Sequence, residues 1–174
     1  MKKTLFIIIS IIITYVIIGN VVVANNIIPD DAIRIRIIPN SNSEYDQSIK
    51  YKVKETIQND MKNLLTNVKN IDDARNIIKN NLDGIQDNIS KTLQKNDYDL
   101  PFNVNFGFNY FPKKEFKGIV YKEGYYESVV VTLGSGLGDN WWCVLFPPLC
   151  MIEAEESADL EYTTMVKSII DKYF

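Results

Sequence analysis

The chain has 174 residues, enough for one globular domain beside a targeting segment, and its formal net charge is −3. It contains no histidine, which removes the commonest general base, the Ser/His and Cys/His nucleophile pairs and most catalytic zinc sites. Its 19 basic residues are scattered among 22 acidic ones without a long run of one sign, so a basic patch that binds nucleic acid is not expected.

The first 24 residues have the layout of a signal peptide. Two lysines precede an apolar block that runs from Leu5 to Ile18, and Ala24 ends a segment of small and β-branched residues suited to cleavage. An uncleaved anchor is the alternative, because the apolar stretch to Val23 is nearly long enough to cross a bilayer core of about 30 Å. Either reading predicts that residues 25–174 form a single exported domain, since the basic residues precede the apolar block.

A strand is predicted directly after an Asn-rich linker. The sequence AIRIRII, residues 32–38, places isoleucines on one face and Arg34 and Arg36 on the other, which is typical of a half-buried strand. Ser41 and Ser43 follow, each three positions before an acidic residue, which is the spacing of a capping box. A helix is therefore expected to begin here.

Two amphipathic helices are predicted next. Apolar residues recur every three or four positions from Ile49 to Val68 and again from Ala74 to Leu93. Gly84 weakens the second helix by about 1 kcal/mol without interrupting its apolar stripe. We expect an antiparallel helix pair with a short connection, packed on a common core.

After residue 101 the hydrophobic period changes from that of a helix to that of a strand. Residues 102–110 alternate aromatic and amide side chains, residues 118–121 and 125–133 indicate a hairpin, and residues 141–146 could join the same sheet. A last apolar face, residues 162–173, predicts a C-terminal helix. The fold expected is α+β, in the order β-α-α-β-β-β-β-α, with an antiparallel sheet of about four strands and the helices packed on one side.

The only two cysteines are Cys143 and Cys150. In an exported domain such a pair is more commonly a disulfide than a metal site or a reactive thiol, although two free buried thiols remain an alternative. Cys143 lies among Trp142, Val144 and Leu145, an apolar surrounding that would make a thiol less reactive. A catalytic role for either cysteine is therefore not expected.

The glycine-rich run GSGLG, residues 134–138, lacks the spacing of a dinucleotide or phosphate loop, because Asp139-Asn140-Trp141 follows it instead of a helix start. It indicates a turn between strands. Asp139 could act as an acid or a base, but no second carboxylate is placed beside it by the pattern. The sequence thus predicts no catalytic residues, no cofactor and no metal site, and a hydrolase that uses Asp139 with a second carboxylate is the alternative.

Some residues instead suit recognition of a partner. Tryptophans are enriched at the centres of interfaces, and a Pro-Pro loop held by a disulfide loses little entropy on binding. Because neighbouring strand residues point to opposite faces, one of the two tryptophans is expected to enter the core and the other not. An arginine pair on one strand face could bind an anion or a carboxylate, or could simply be solvated. The candidates are Arg34, Arg36, Asp139, Asn140, Trp141, Trp142, Phe146, Pro147 and Pro148.

At these residues the sequence resembles a known family. The segment GDNWWCVLFPPLC, residues 138–150, preceded by GSGLG, resembles the C-terminal signature of the stage II sporulation protein R family of endospore-forming bacteria. Residues 34–50, with NSNSE, Asp46-Gln47 and Lys50, are similar to a second family stretch, and residues 105–128 resemble its central hairpin. Pro39 and the Ile- and Asn-rich helices depart from the family pattern. The resemblance covers nearly all of the exported chain.

This resemblance implies a signalling protein rather than an enzyme. Members of the family are made in the forespore and exported into the space between the forespore and mother-cell membranes. There they activate a membrane-embedded aspartic protease of the mother cell, the GA-type stage II sporulation protease, which processes the pro-form of the sigma factor sigma-E. The resemblance therefore implies that protease as partner, and no nucleic acid. A structural envelope component, anchored by an uncleaved N-terminal segment, is a further alternative.

Overall fold

The computed structural model describes residues 7–11, 14, 28–116, 119–151 and 159–173. Most of the predicted leader, including the Ala24 junction, lies outside the described residues, as does the acidic segment 152–158. Within the part of the chain that is described, no helix is both long and apolar enough to cross a membrane. The leader and its cleavage remain predictions.

From residue 28 onward the chain forms one mixed sheet, a separate two-stranded ribbon and helices on both faces of the sheet. In chain order the elements are β1 (Ile33–Ile38), α1 (Glu44–Leu65), α2 (Ile71–Asn80), α3 (Leu82–Gln94), β2 (Phe102–Phe111), β3 (Lys114–Phe116), β4 (Ile119–Tyr121), β5 (Gly124–Leu133), β6 (Trp141–Phe146), a short 3-10 helix (Leu149–Met151) and α4 (Asp159–Tyr173).

The four-stranded sheet has the strand order β2-β5-β1-β6. Strand β1 runs parallel to β5, where Ile35 aligns with Val129, and antiparallel to β6, where Ile35 aligns with Cys143. The predicted α+β class and four-stranded sheet are confirmed, but the sheet is mixed and not wholly antiparallel. Alternation determines which side chains face the core, whereas the direction of a partner strand depends on the route of the intervening chain.

The predicted hairpin between residues 118–121 and 125–133 is wrong. Strand β5 pairs along its full length with β2, from Phe102 opposite Leu133 to Phe111 opposite Gly124. Strand β4 pairs instead with β3 in the separate ribbon. A ten-residue ladder satisfies more backbone groups than a three-residue one, so the long strands pair with each other.

The predicted second helix is divided into α2 and α3. The break lies at Asn81, which has φ −108° and ψ 10° and whose backbone N–H donates to the carbonyls of Ile77 and Ile78. This break lies three residues before Gly84, where the sequence predicted that the helix would be least stable. The apolar stripe continues across the break, and both helices bury it in the same core.

The main core lies between α1–α3 and the face of β1 that carries Ile33, Ile35 and Ile37, all three fully buried. This confirms the facing predicted from alternation. The other members come from the helix stripes and from β5, and they include Ile49, Val53, Ile57, Met61, Ala74, Ile78, Ile85, Ile89, Val129, Val131 and Leu133.

The C-terminal helix contacts this core through Tyr173, but most of its buried apolar side chains lie elsewhere. It buries Val166 and Ile170 in a second apolar cluster that contains Val144. Because Val144 aligns with Arg34 on β1, this cluster lies on the sheet face opposite the isoleucines. The expectation that all helices pack on one side is therefore wrong: α4 covers part of the opposite face.

Candidate partner-binding site

The unusual segment 138–150 begins in a loop, residues 134–140, that is docked on the turn between β1 and α1. Both segments were singled out by sequence, but nothing in the sequence predicted that they would touch. Four backbone N–H groups of the loop donate to the turn. Ser135 donates to the side-chain oxygen of Asn40 at 3.0 Å, Leu137 to the carbonyl of Asn40 at 3.1 Å, Gly138 to the carbonyl of Pro39 at 3.0 Å, and Asp139 to the side-chain oxygen of Asn42 at 2.6 Å.

The glycines of this loop are required by its shape and by its close contact with the turn. Gly134 and Gly136 have φ of 56° and 67°, in the left-handed region that side chains disfavour. At Gly138 an added Cβ would lie 2.2 Å from the carbonyl oxygen of Ser41. The run is a structural turn between β5 and β6, as its spacing predicted.

Asp46 holds the turn together from the first helical turn of α1. Its carboxylate is 6% exposed and accepts from Ser41 Oγ at 2.5 Å and Asn40 Nδ2 at 3.0 Å. These hydrogen bonds, with that of Ser41 the largest cause, lower the pKa of Asp46. The N-cap is Ser43, whose Oγ accepts from the Asp46 N–H at 3.1 Å. The second capping candidate, Ser41, belongs to the turn.

Lys50 connects α1 to the loop. Its side chain is 4% exposed, and Nζ donates to the carbonyl of Asp139 at 2.9 Å and to Gln47 Oε1. Burial lowers the pKa of the ammonium. The ammonium is thus used for loop docking, and the Asp139 side chain is exposed.

Trp141 and Trp142 leave this loop on opposite faces of β6, and both are partly buried. Trp141 aligns with Ile37 and packs against the main core, with Lys54 Nζ 5.5 Å from its ring centroid. Trp142 aligns with Arg36 on the other face. The alternation predicted for the pair is present, but neither ring is freely solvated.

Trp142 stands among aromatic and cationic neighbours. Its ring centroid is 5.2 Å from that of Phe111 at an interplanar angle of 70°, an edge-to-face contact. Arg36 Cζ lies 5.7 Å and Lys114 Nζ 4.9 Å from the ring centroid. Within the described chain the buried indole Nε1 has no hydrogen-bond partner. Sequence reasoning missed Phe111 and Lys114, because both come from a segment about 30 residues away.

Arg36 is held by three hydrogen bonds. In the amide orientation that satisfies both groups, the side-chain oxygen of Asn140 accepts from Arg36 Nε at 3.0 Å and Nη2 at 2.7 Å. Arg36 Nη1 donates to the carbonyl of Tyr110 at 3.3 Å. Arg36 and Asn140, both predicted candidates, are therefore brought together beside Trp142. Arg34 is not part of this group, and stacks instead on Tyr126 with Cζ 3.3 Å from the ring centroid.

The second half of the segment is a covalently closed corner. Cys143 and Cys150 form a disulfide with their Cα atoms 5.6 Å apart, as predicted for an exported pair. Phe146 is 1% exposed and makes an edge-to-face contact with Tyr173. Pro147 follows a cis peptide bond and is also buried, and Pro148 is partly buried. Phe146 and Pro147 therefore pack in the interior, and among the aromatic and proline candidates only Trp141, Trp142 and Pro148 are accessible.

The described residues contain no group of three or more Cys, Asp or Glu side chains placed to hold a metal ion. The site therefore consists of the partly exposed Trp142 ring with Arg36 and Lys114 beside it. The loop and strand that carry Trp142 are fixed by hydrogen bonds and a disulfide. Such a surface can bind a partner that carries carboxylates and apolar side chains.

Comparison with known proteins gives a family. A family model described as stage II sporulation protein R matches residues 29–156. The stage II sporulation protein R of Bacillus subtilis (strain 168) is 38% identical over 127 residues, which is 73% of this chain and 57% of that protein. The match thus spans just over half of the relative's length. No solved structure matches. The chain belongs to the stage II sporulation protein R family.

Proposed function

We propose that this protein is an exported sporulation signal that activates a membrane-embedded aspartic protease of the mother cell and so triggers processing of pro-sigma-E. The protein would act in the space between the forespore and mother-cell membranes. Membership of the sporulation family supports this role. The observation that carries the proposal is that the segment resembling the family signature forms one rigid element. This element carries Trp142, which with Arg36, Phe111 and Lys114 forms what we call the Trp142 surface.

Rigidity favours a binding role. Loop 134–140 is tied to the turn and to Lys50, and the disulfide closes the far end of the segment. A preorganised surface loses little conformational entropy on association, so more of its contact energy becomes affinity. The partner would meet a surface that is already in its bound shape.

The chemistry of the surface indicates what the protease must present. Arg36 and Lys114 stand beside the Trp142 ring, so an acidic residue next to an apolar one on the protease's extracellular part would be complementary. Arg36 already donates three hydrogen bonds to Asn140 and Tyr110, which leaves Lys114 as the more adaptable cation. We expect Lys114 to affect the association rate and its salt dependence.

The test is Trp142→Ala in cells that contain the protease and pro-sigma-E. We expect activation to fall about 30-fold, the effect of losing a hot spot of about 2 kcal/mol. Because Trp142 is partly buried, the variant should lose only roughly 1–3 kcal/mol of folding free energy, less than a fully buried tryptophan. Circular dichroism melts show whether the domain is still folded at the assay temperature.

Two companion variants separate binding from folding. Trp142→Phe keeps an aromatic contact with Phe111 and should restore part of the activation. Phe108→Ala removes an aromatic side chain that is 75% exposed on β2 and should leave activation unchanged. Full activation by a folded Trp142→Ala variant, or equal losses in the Trp142 and Phe108 variants, would contradict the proposed surface.

A further inference from the structure

Arg34 is a buried cation whose hydrogen bonds are incomplete. Its side chain is 3% exposed, and within the described chain neither Nε nor Nη1 has a hydrogen-bond partner. A buried N–H group without a partner destabilises the folded state, and the effect is larger on a charged group. Buried charges in proteins are almost always paired. The neighbouring Arg36 donates three hydrogen bonds, and among the described residues it has no buried N–H group without a partner, so of these two strand arginines only Arg34 shows the feature.

The guanidinium borders a surface pocket. Tyr126 stacks on it with the ring centroid 3.3 Å from Cζ, and Asp30, Tyr121 and Lys122 also line the pocket. The Tyr126 hydroxyl donates to the carbonyl of Lys122 at 3.0 Å, which fixes the ring under the guanidinium. Arg34 therefore lines the pocket in a fixed position, and its unpaired Nε and Nη1 are themselves buried in the wall, so a ligand group must displace part of that wall to reach them.

Asp30 lies near enough to act electrostatically on Arg34, yet among the described residues the two make no ion pair. Its negative charge disfavours a second anion in the pocket, and disfavours a phosphate dianion more than a carboxylate. A carboxylate oxygen is also a strong acceptor for the N–H groups that Arg34 leaves unpaired.

We propose that the pocket at Arg34 binds a carboxylate group, either of a free acid or of an acidic side chain. The ligand would accept a charge-assisted hydrogen bond from Nε or Nη1 of Arg34 while Tyr126 supports the guanidinium from below. This site is separate from the Trp142 surface and does not depend on the proposed signalling role.

The test uses the three arginines of the chain as internal probes. The full chain, labelled with 15N in a mild detergent, is titrated with sodium acetate at constant ionic strength while the Nε–Hε signals are recorded. We expect the Arg34 signal to move and saturate, and the signals of Arg36 and of Arg75, which already binds Glu127 at 2.7 Å, to stay in place. An Arg34 signal that does not saturate, or that moves equally with chloride, refutes the site.

Two variants test the electrostatics without altering Arg34. Asp30→Asn removes the competing charge and should lower the Kd for acetate about threefold, the factor expected of a weak surface charge pair. The matched control, Asp31→Asn, changes an exposed carboxylate outside the pocket lining and should leave the Kd unchanged. Equal effects of the two variants would mean that only the net charge matters, and would contradict a specific site.

The identity of the ligand follows from three probes. Saturation by acetate and by a capped aspartyl peptide supports an acidic side chain as the ligand, whereas saturation by acetate alone supports a free acid. Tighter binding of phosphate than of acetate overturns the carboxylate assignment. Arg34→Lys keeps the charge but loses the planar donor group, so the affinity for acetate should fall at least tenfold. If this variant does not fold, the Asp30→Asn titration and the three probes still test whether the pocket binds a carboxylate.

Discussion

Replacing Gly138 with Ala tests whether the docked loop is a structural unit. An added Cβ would lie 2.2 Å from the carbonyl oxygen of Ser41 and 2.6 Å from its carbon. Both are backbone atoms in a turn that Asp46 holds in place, so neither can move aside cheaply. The loop must therefore lift from the turn.

The cost can be worked out from the contacts that would be broken. Three N–H groups of residues 137–139 donate to the turn, and Lys50 donates to the Asp139 carbonyl. At about 0.5–1.5 kcal/mol for each hydrogen bond, the loss of two or three gives about 1–4.5 kcal/mol. For a domain of this size that corresponds to a fall in Tm of about 2–18 °C.

Urea and thermal unfolding measure this loss. Fluorescence is suited to the purpose because the only two tryptophans directly follow the loop. The matched control is Gly84→Ala, since Gly84 lies inside α3 and an added Cβ there meets no atom within 4 Å. It should stabilise the protein by about 0.5–1 kcal/mol. If the free energy of unfolding of the Gly138→Ala variant lies within about 0.5 kcal/mol of the wild-type value, the account of the docked loop is refuted.

Two further predictions concern the turn and the disulfide. The folded-state pKa of Asp46 lies below its ordinary value. The ionised carboxylate therefore stabilises the folded protein fully at a pH above the ordinary pKa, and this stabilisation is lost as the pH falls through the folded-state pKa. Asp46→Asn should therefore lower Tm at pH 7 and lower it progressively less as the pH falls through the folded pKa of Asp46. The exposed Asp87→Asn should show no such trend. A difference in Tm between wild type and Asp46→Asn that does not change with pH would contradict a role for the ionised carboxylate. Replacing Cys143 and Cys150 together by Ser should cost about 2.5 kcal/mol, from the entropy of a loop with a sequence separation of 7. Dithiothreitol should destabilise the wild type in urea similarly and leave the double variant unaffected, and an unaffected wild type would contradict a stabilising disulfide.

Local features of the fold were predictable from the sequence. The faces of β1, the apolar stripes of the helices and the capping role of Ser43 all depend on residues close together in the chain, and each is present in the structure. The parallel pairing of β1 with β5 and the pairing of β2 with β5 were not predicted. Alternation indicates that a segment is a strand with one buried face, but it contains no information on which strand will lie beside it.

In the candidate site, too, local features were predictable from the sequence and contacts between distant residues were not. The sequence indicated the important segment and the opposite facing of Trp141 and Trp142, because residue spacing alone determines facing in a strand. It did not indicate that Lys50 would hold the loop or that Phe111 and Lys114 would surround Trp142, since these contacts join distant parts of the chain.

Arg34 and Arg36 show most clearly which features the sequence determines and which depend on the tertiary structure. By itself the sequence determined that both arginines lie on one face of β1, because they are two residues apart in a strand. Only the tertiary structure decided that Arg36 is engaged by Asn140 and Tyr110, while Arg34 stacks on Tyr126 and keeps unpaired N–H groups. The physical reason is that a side chain's neighbours come from the adjacent strands and loops, and these reach β1 from distant positions in the chain.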